Sequence, residues 1–140
     1  MFQDVVWARR GLEALVRDDF PPGTLSAIAM SSPDVTLLFR DILIQTPRTI
    51  VLRDVGDVSA SGPLLLVLEG DDEGLSRRGL TATIHRAGFQ PHDGQIFQRL
   101  LARGGVLVSV VSEPRAADAL AKLHSYGGGN AAIGAWSGRI

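Results

Sequence analysis

The stretch "GGVLVSVVSEPRAADAL", residues 104–120, decides the fold. Gly104 and Gly105 stop what precedes them. Val106 to Val111 is then apolar on both alternating faces apart from Ser109, the composition of a strand that is covered on both sides. Ser112, Pro114 and the alanines at 116, 117 and 119 follow at once. They read as an N-cap, a first-turn proline and good helix formers, so the spacing predicts a helix through Leu123. A strand running straight into a capped helix marks a mixed α/β chain.

Beyond that helix, "YGGGN" at 126–130 provides a C-cap and a permissive turn, and "NAAIGAW" at 130–136 is predicted to be a final strand. The tail then reads as two neighbouring parallel strands, 106–111 and 130–136, bridged by one alanine-lined helix. Working back, "QPHDGQIFQRLLARGG" gives a helix with Ile96, Phe97, Leu100 and Leu101 on its buried face. The cluster "EGDDEG" opens a segment with Leu75, Leu80, Ile84 and Ala87 on one face, and Gly88 is placed to close it in the left-handed region. "TIVLRDVGDVSASGPLLLVL" reads as a hairpin or two neighbouring strands, one before Gly56 and one after Pro63.

Nearer the start, Val5, Ala8, Leu12, Leu15 and Val16 recur at helical spacing behind a capping Asp4. Pro21, Pro22 and Gly23 break that helix before a predicted strand, Leu25 to Met30. Ser32, Pro33 and Asp34 then start a second helix that ends before Pro47. Only Met1 to Gln3 precede the first helix, so a leading strand is either vestigial or replaced by something else.

At 140 residues, with 45% apolar and 21% charged side chains, the chain has the length and composition of one globular domain spanning 1–140. A net charge of −1 lacks the positive excess that phosphate neutralisation favours, which argues against a dedicated nucleic-acid partner. The absence of cysteine excludes disulfides, thiolate metal sites and thiol nucleophiles. The first residues hold no signal-peptide core, and the longest apolar run, Leu64 to Leu68, is far short of the roughly 20 residues of a membrane span. The expectation is a cytoplasmic protein without membrane contact.

The stretches "SGPLLLVLEG", "GLTATIHRAGF", "FQRLLARGGVLVSV", "PRAADALAKLHSYGG" and "NAAIGAW" together resemble the C-terminal part of the bacterial general stress protein 17M and YflT-like group. "LEALVRDDFPPGTLSAIA" is similar to that group's N-terminal helix-to-strand passage. The likeness covers about two thirds of the chain and rests mostly on glycines, alanines and aliphatic residues that tight α/β turns favour. It departs at the leading strand and over residues 31–55. The resemblance implies a stress-associated or regulatory role and brings no catalytic residues with it.

Candidate sites are few. At the 112–115 junction, Ser112, the first helical amides and Arg115 could hold an anion, with Gly128 of the glycine turn beside them. The structural alternative makes Ser112 an N-cap, Pro114 a first-turn residue, and Ala116, Ala117 and Ala119 good helix formers with little bulk against a sheet. The glycines of "YGGGN" follow a helix, whereas phosphate loops precede one, and no GxxxxGK[ST] occurs. His85, His92 and His124 lie in three separate segments without metal-ligand spacing. Asp71, Asp72 and Glu73 read as helix-start charges. Ser59 and Ser61 lack a nucleophile elbow.

These readings lead to a single α/β domain containing a ferredoxin-like or ACT-like βαβ element. Strands 25–30, 106–111 and 130–136 form the sheet, and the middle of the chain elaborates it. The expected function is a non-enzymatic, self-associating regulatory or stress-related module, with no catalytic residues, no metal and no cofactor. Strands apolar on both faces suggest that a second subunit covers one side, making a homo-oligomer. The alternative is a small-molecule or anion-binding domain, or a low-turnover enzyme, using Ser112, Arg115 and Gly128.

Overall fold

The structure, a computed structural model, describes residues 1–111 and 113–129. Its centre is a four-stranded antiparallel sheet of β1 (Leu25–Met30), β2 (Arg48–Leu52), β3 (Gly56–Ser61) and β4 (Val106–Val110), in the order β2-β3-β1-β4. Helices α1 (Val5–Arg17), α2 (Pro33–Leu38), α3 (Pro63–Glu69), α4 (Gly74–Arg78), α5 (Leu80–Thr83), α6 (Pro91–Ala102) and α7 (Ala116–Ser125) pack around it. The chain is mixed α/β, as its sequence leads one to expect.

Several local predictions hold to the residue. The Asp4 carboxylate accepts from the Trp7 N–H at 2.9 Å and starts α1. Ser32 Oγ accepts from the Val35 N–H, with Pro33 in the first turn of α2. Strand 25–30 forms with the bounds expected, and Gly88 closes the preceding turn with a φ of 86°.

The sheet itself requires correction. The middle of the chain supplies two of its four strands rather than an elaboration, through the hairpin β2–β3. The apolar stretch after Pro63 is the helix α3, not a strand. Gly62 turns the chain there with a φ of 103°, close enough to β1 that a Cβ would lie 2.5 Å from Ser26 Oγ. That hydroxyl accepts from the Leu64 N–H at 3.0 Å. The 74–87 segment is broken at Gly79, where φ is 90°, into α4 and, beyond it, α5 and a 3-10 turn, Ile84–Ala87. The predicted strand 130–136, and with it the parallel pair at the tail, lies outside the described residues.

Each crossover skips one strand: α2 links β1 to β2 around β3, and α3 to α6 link β3 to β4 around β1. This is the split βαβ connectivity of a ferredoxin-like sheet. The burial pattern separates the two crossovers. Leu25, Ala27, Ala29 and Val106 face one core with α1, α2 and α7, and Ile28, Val58, Ala60 and Leu107 face another with α3 to α6. Two crossovers of the same hand in this strand order would cover the same face. Here they cover opposite faces, so their hands are opposite and one departs from the right-handed rule.

Three layers result, and β4 finds cover on both sides within one chain. The apolar two-sidedness of "VLVSVV" therefore requires no second subunit, contrary to the reason given for one from the sequence. The missing first strand is present in minimal form: Phe2 makes an antiparallel bridge to Val106 on the outer edge of β4. That edge is occupied there; the outer edge of β2 has no strand partner among the described residues.

Candidate functional site

The anion site expected from the sequence draws on a charge and on the first amides of the helix that follows β4. Ser112 lies outside the described residues. Arg115 ends a short 3-10 turn, Glu113–Arg115, just before α7, and its guanidinium is already engaged. It stacks 4.0 Å from the centroid of the Phe20 ring and donates through Nη1 to the Asp18 carbonyl oxygen at 2.9 Å. One residue type thus satisfies a cation–π contact and an orphan carbonyl at the C-terminus of α1.

Lys122, two turns along α7, approaches the same helix end and meets the Asp18 carboxylate at 2.6 Å. The hydrogen bond from Lys122 holds the Asp18 carboxyl below the usual carboxylate range. Desolvation opposes it, and the positive charges of Lys122, Arg115 and Arg17 each add a smaller lowering effect. Two cations at the C-terminus of α1 also complement its macrodipole. The arrangement joins the first helix to the last.

Gly128 sits at the other end of α7. The Gly128 N–H donates to the Leu123 carbonyl at 2.9 Å and the Gly127 N–H to that of His124 at 3.0 Å, with Gly127 at a φ of 94°. This is a Schellman closure of the helix. A Cβ on Gly128 would lie 2.9 Å from the Leu123 oxygen and 3.4 Å from the Phe2 ring, so the residue is glycine for want of room. Ten residues of helix, about 15 Å, separate it from Arg115. The structure does not bring the two together.

The remaining polar candidates are likewise committed. Ser59 Oγ shares a hydrogen bond with Ser31 Oγ at 2.9 Å. His124 Nδ1 lies 3.3 Å from the Gly128 carbonyl, and His92 is exposed beside Asp93. Among the described residues, no three His, Asp or Glu side chains gather as a metal site needs. None of the helices there is long and apolar enough to cross a membrane.

The best-built polar cluster is one that sequence reasoning did not select. Arg86 donates to both oxygens of Asp72, at 2.9 and 2.7 Å, and to the carbonyls of Leu68 and Glu69. The hydrogen bond from Arg86 pulls the Asp72 carboxyl down to about 2, with further help from the charges of Arg86 and Arg78. Beneath them, the buried Glu69 accepts from the Ser76 N–H and hydroxyl, at 2.9 and 2.7 Å. A Cβ at Gly70 or Gly74 would strike the Arg86 guanidinium. The two glycines of "EGDDEG" therefore make space for an arginine twelve residues or more away, and their flanking of the acids was the available signal. Its bonds all close within the chain, which is the pattern of a structural clamp.

One open cleft, about 290 Å³, lies beside α1 and is lined by Glu13, Val16, Arg17, Asp41 and Ile42. It is at the lower limit of ligand-pocket size. Its two carboxylates are paired, Glu13 with Arg9 at 3.0 Å and Asp41 with Arg40 at 2.8 Å. The wall carrying Asp41 is a π-helical turn, Phe39–Leu43, that closes on Ile44 in the left-handed region at a φ of 53°. A β-branched residue there is strained, and the Ile44 side chain is 70% exposed.

Compared with protein-family models, with curated proteins and with solved structures, the chain finds no match.

Proposed function

We propose that the chain is a non-enzymatic, self-associating module with a regulatory or stress-related role in the cytoplasm. The observation that carries this reading is the distribution of what is spent and what is free. The charged and polar groups that could recognise a ligand, Arg115, Arg86, Glu69 and Asp72, are used to hold helices together. Several large aliphatic side chains are exposed, among them Val6, Ile44, Val51 and Leu66. Ile44 and Val51, at 70% and 69% exposure, lie on the limb that leads into and forms β2. Exposed aliphatic side chains beside an open sheet edge suit contact with protein. The stress-related role rests on the resemblance of residues 62–136 to the general stress protein group.

Light scattering coupled to size-exclusion chromatography, run over a range of loading concentrations, tests the reading. A mass that rises from one chain toward two or more supports it. A single chain at every concentration removes the self-associating part.

A further inference from the structure

The outer edge of β4 is covered at Val106 alone among the described residues. Phe2 bonds to both main-chain groups of Val106, which therefore face away from β1. Successive residues of a strand alternate, and the Val111 N–H keeps that phase by donating inward to the Thr24 carbonyl at 2.9 Å. The main-chain groups of Val108 and Val110 consequently face outward, and no described strand pairs with them. Their side chains are half-buried and pack with the core beneath α1 and α7. The strand has no proline and no charged residue to protect this edge.

Main-chain geometry aims one segment at this edge. Met1 and Gly129 exchange both main-chain hydrogen bonds, at 2.9 and 2.8 Å, as an antiparallel pair does. Phe2 is in turn antiparallel to β4. At Gly129 the chain therefore runs in the same direction as β4, toward the level of Val108 and Val110. Two strand spacings, about 10 Å, separate Gly129 from β4. Eleven residues follow, beginning "NAAIGAW", and their extended reach of roughly 36 Å exceeds that distance. Tethering selects this segment over a separate molecule. A segment on so short a link is present at an effective concentration on the order of millimolar, far above that of a second chain in dilute solution. Its composition agrees, because Ala131, Ile133 and Ala135 alternate with Ala132, Gly134 and Trp136 and no charge intervenes. Both sets of side chains suit an edge flanked by a core on each side, with Val108 and Val110 joining one and Val111 the other.

We infer that the β4 edge at Val108 and Val110 is the docking site of the chain's own residues 130–136, added parallel to β4. The contact goes beyond the self-associating reading and does not depend on it. It takes the β4 edge out of reach of other chains, so that any association runs through a different surface.

Hydrogen exchange followed by NMR, on the full chain and on a variant ending at Gly129, reads the contact residue by residue. The Val108 and Val110 amides should exchange at least tenfold faster in the shortened chain, relative to the inward-facing amides of Leu107 and Ser109. A second measurement keeps the chain at full length. A nitroxide attached to Ile133→Cys, in a protein with no cysteine of its own, should broaden the Val108 and Val110 amide signals. Isotope-labelled unmodified chains mixed with unlabelled nitroxide-bearing ones should keep those signals sharp. Unchanged relative exchange on shortening, or no broadening in the full-length chain, overturns the inference. Broadening in the mixed sample overturns it too, by showing that the edge receives the segment of another copy.

Discussion

Phe2 and Val106 exchange both main-chain hydrogen bonds, each N–H donating to the other's carbonyl oxygen at 2.9 Å. The Phe2 side chain is buried between elements from both ends of the sequence, its ring lying where a Cβ on Gly11 would strike it and 3.4 Å from where one on Gly128 would stand. Phe2→Ala removes that ring and leaves a cavity beneath α1 and α7. The expected loss is about 3–5 kcal/mol, measured by urea denaturation. A loss of less than about 1 kcal/mol would mean that the ring is not a core residue.

Arg115 is predicted to act on stability and not on ligand affinity. Arg115→Ala gives up the stack on Phe20 and the bond to the Asp18 carbonyl, a loss of about 1–2 kcal/mol. Titration with phosphate or sulfate, followed by thermal shift, should give the same response in both proteins. A phosphate-dependent rise in melting temperature that vanishes in the variant would return Arg115 to the role of an anion ligand.

The Arg86–Asp72 clamp sets an acid limb. The Asp72 carboxyl titrates at about 2 when folded, below its ordinary value of 3.8. Its folded pKa is depressed, so its contribution is complete above about pH 4 and is lost as pH falls through 2. Asp72→Asn should flatten the dependence of melting temperature on pH across that window and leave the slope above it unchanged. Parallel curves for the two proteins would show that the clamp has no part in acid unfolding.

Two glycines with opposite surroundings should give opposite results. Gly62 has a φ of 103° and no space for a Cβ, whereas nothing lies within 4 Å of one at Gly23, whose φ is ordinary. Gly23→Ala is expected to be neutral or to stabilise by about 0.4–1 kcal/mol by restricting the unfolded chain. Gly62→Ala should destabilise by more than that, because α3 cannot then start against β1. Equal melting temperatures for the two variants would contradict the close approach of Gly62 to Ser26.

Ile44 holds the left-handed conformation with an exposed side chain. Ile44→Gly should stabilise the fold by about 1 kcal/mol through relief of that strain. A destabilised variant would show that the isoleucine side chain contributes contacts that outweigh its backbone cost.

What could be read from the sequence was local. Asp4, Ser32, Pro33 and Gly88 announce helix ends because capping uses neighbours within four residues, and Leu25 to Met30 announces a strand because small and larger residues alternate between turn signals. Leu64 to Leu68 was ambiguous by nature, since a five-residue apolar run has no period that distinguishes a buried strand from a short helix. The tight approach of Gly62 to β1 resolved it. β3 was hidden by its own composition: "GDVSAS" is too small and polar to read as a strand until Ser59 is seen bonded to Ser31 and Ala60 packed in the core.

The partners of the candidate residues lay beyond local reading as well. Arg115 was conspicuous by charge, yet its partner Asp18 lies 97 positions earlier, and spacing carries no trace of that contact. Glu69, Gly70, Asp72 and Gly74 stand together in the sequence, but Arg86, which organises them, comes from the 3-10 turn Ile84–Ala87 beyond α4 and α5.

The fastening of α1 has a consequence for how the chain matures during synthesis. Phe2, just before that helix, and Asp18, just after it, are each secured by segments made about a hundred residues later, at Val106 and Arg115. On the ribosome the first helix emerges with neither end anchored, while the β2–β3 hairpin can close from adjacent sequence. Final docking of that helix is then a late event of folding, and an interrupted chain would lack the β4 and α7 part of the cover over Leu12 and Leu15.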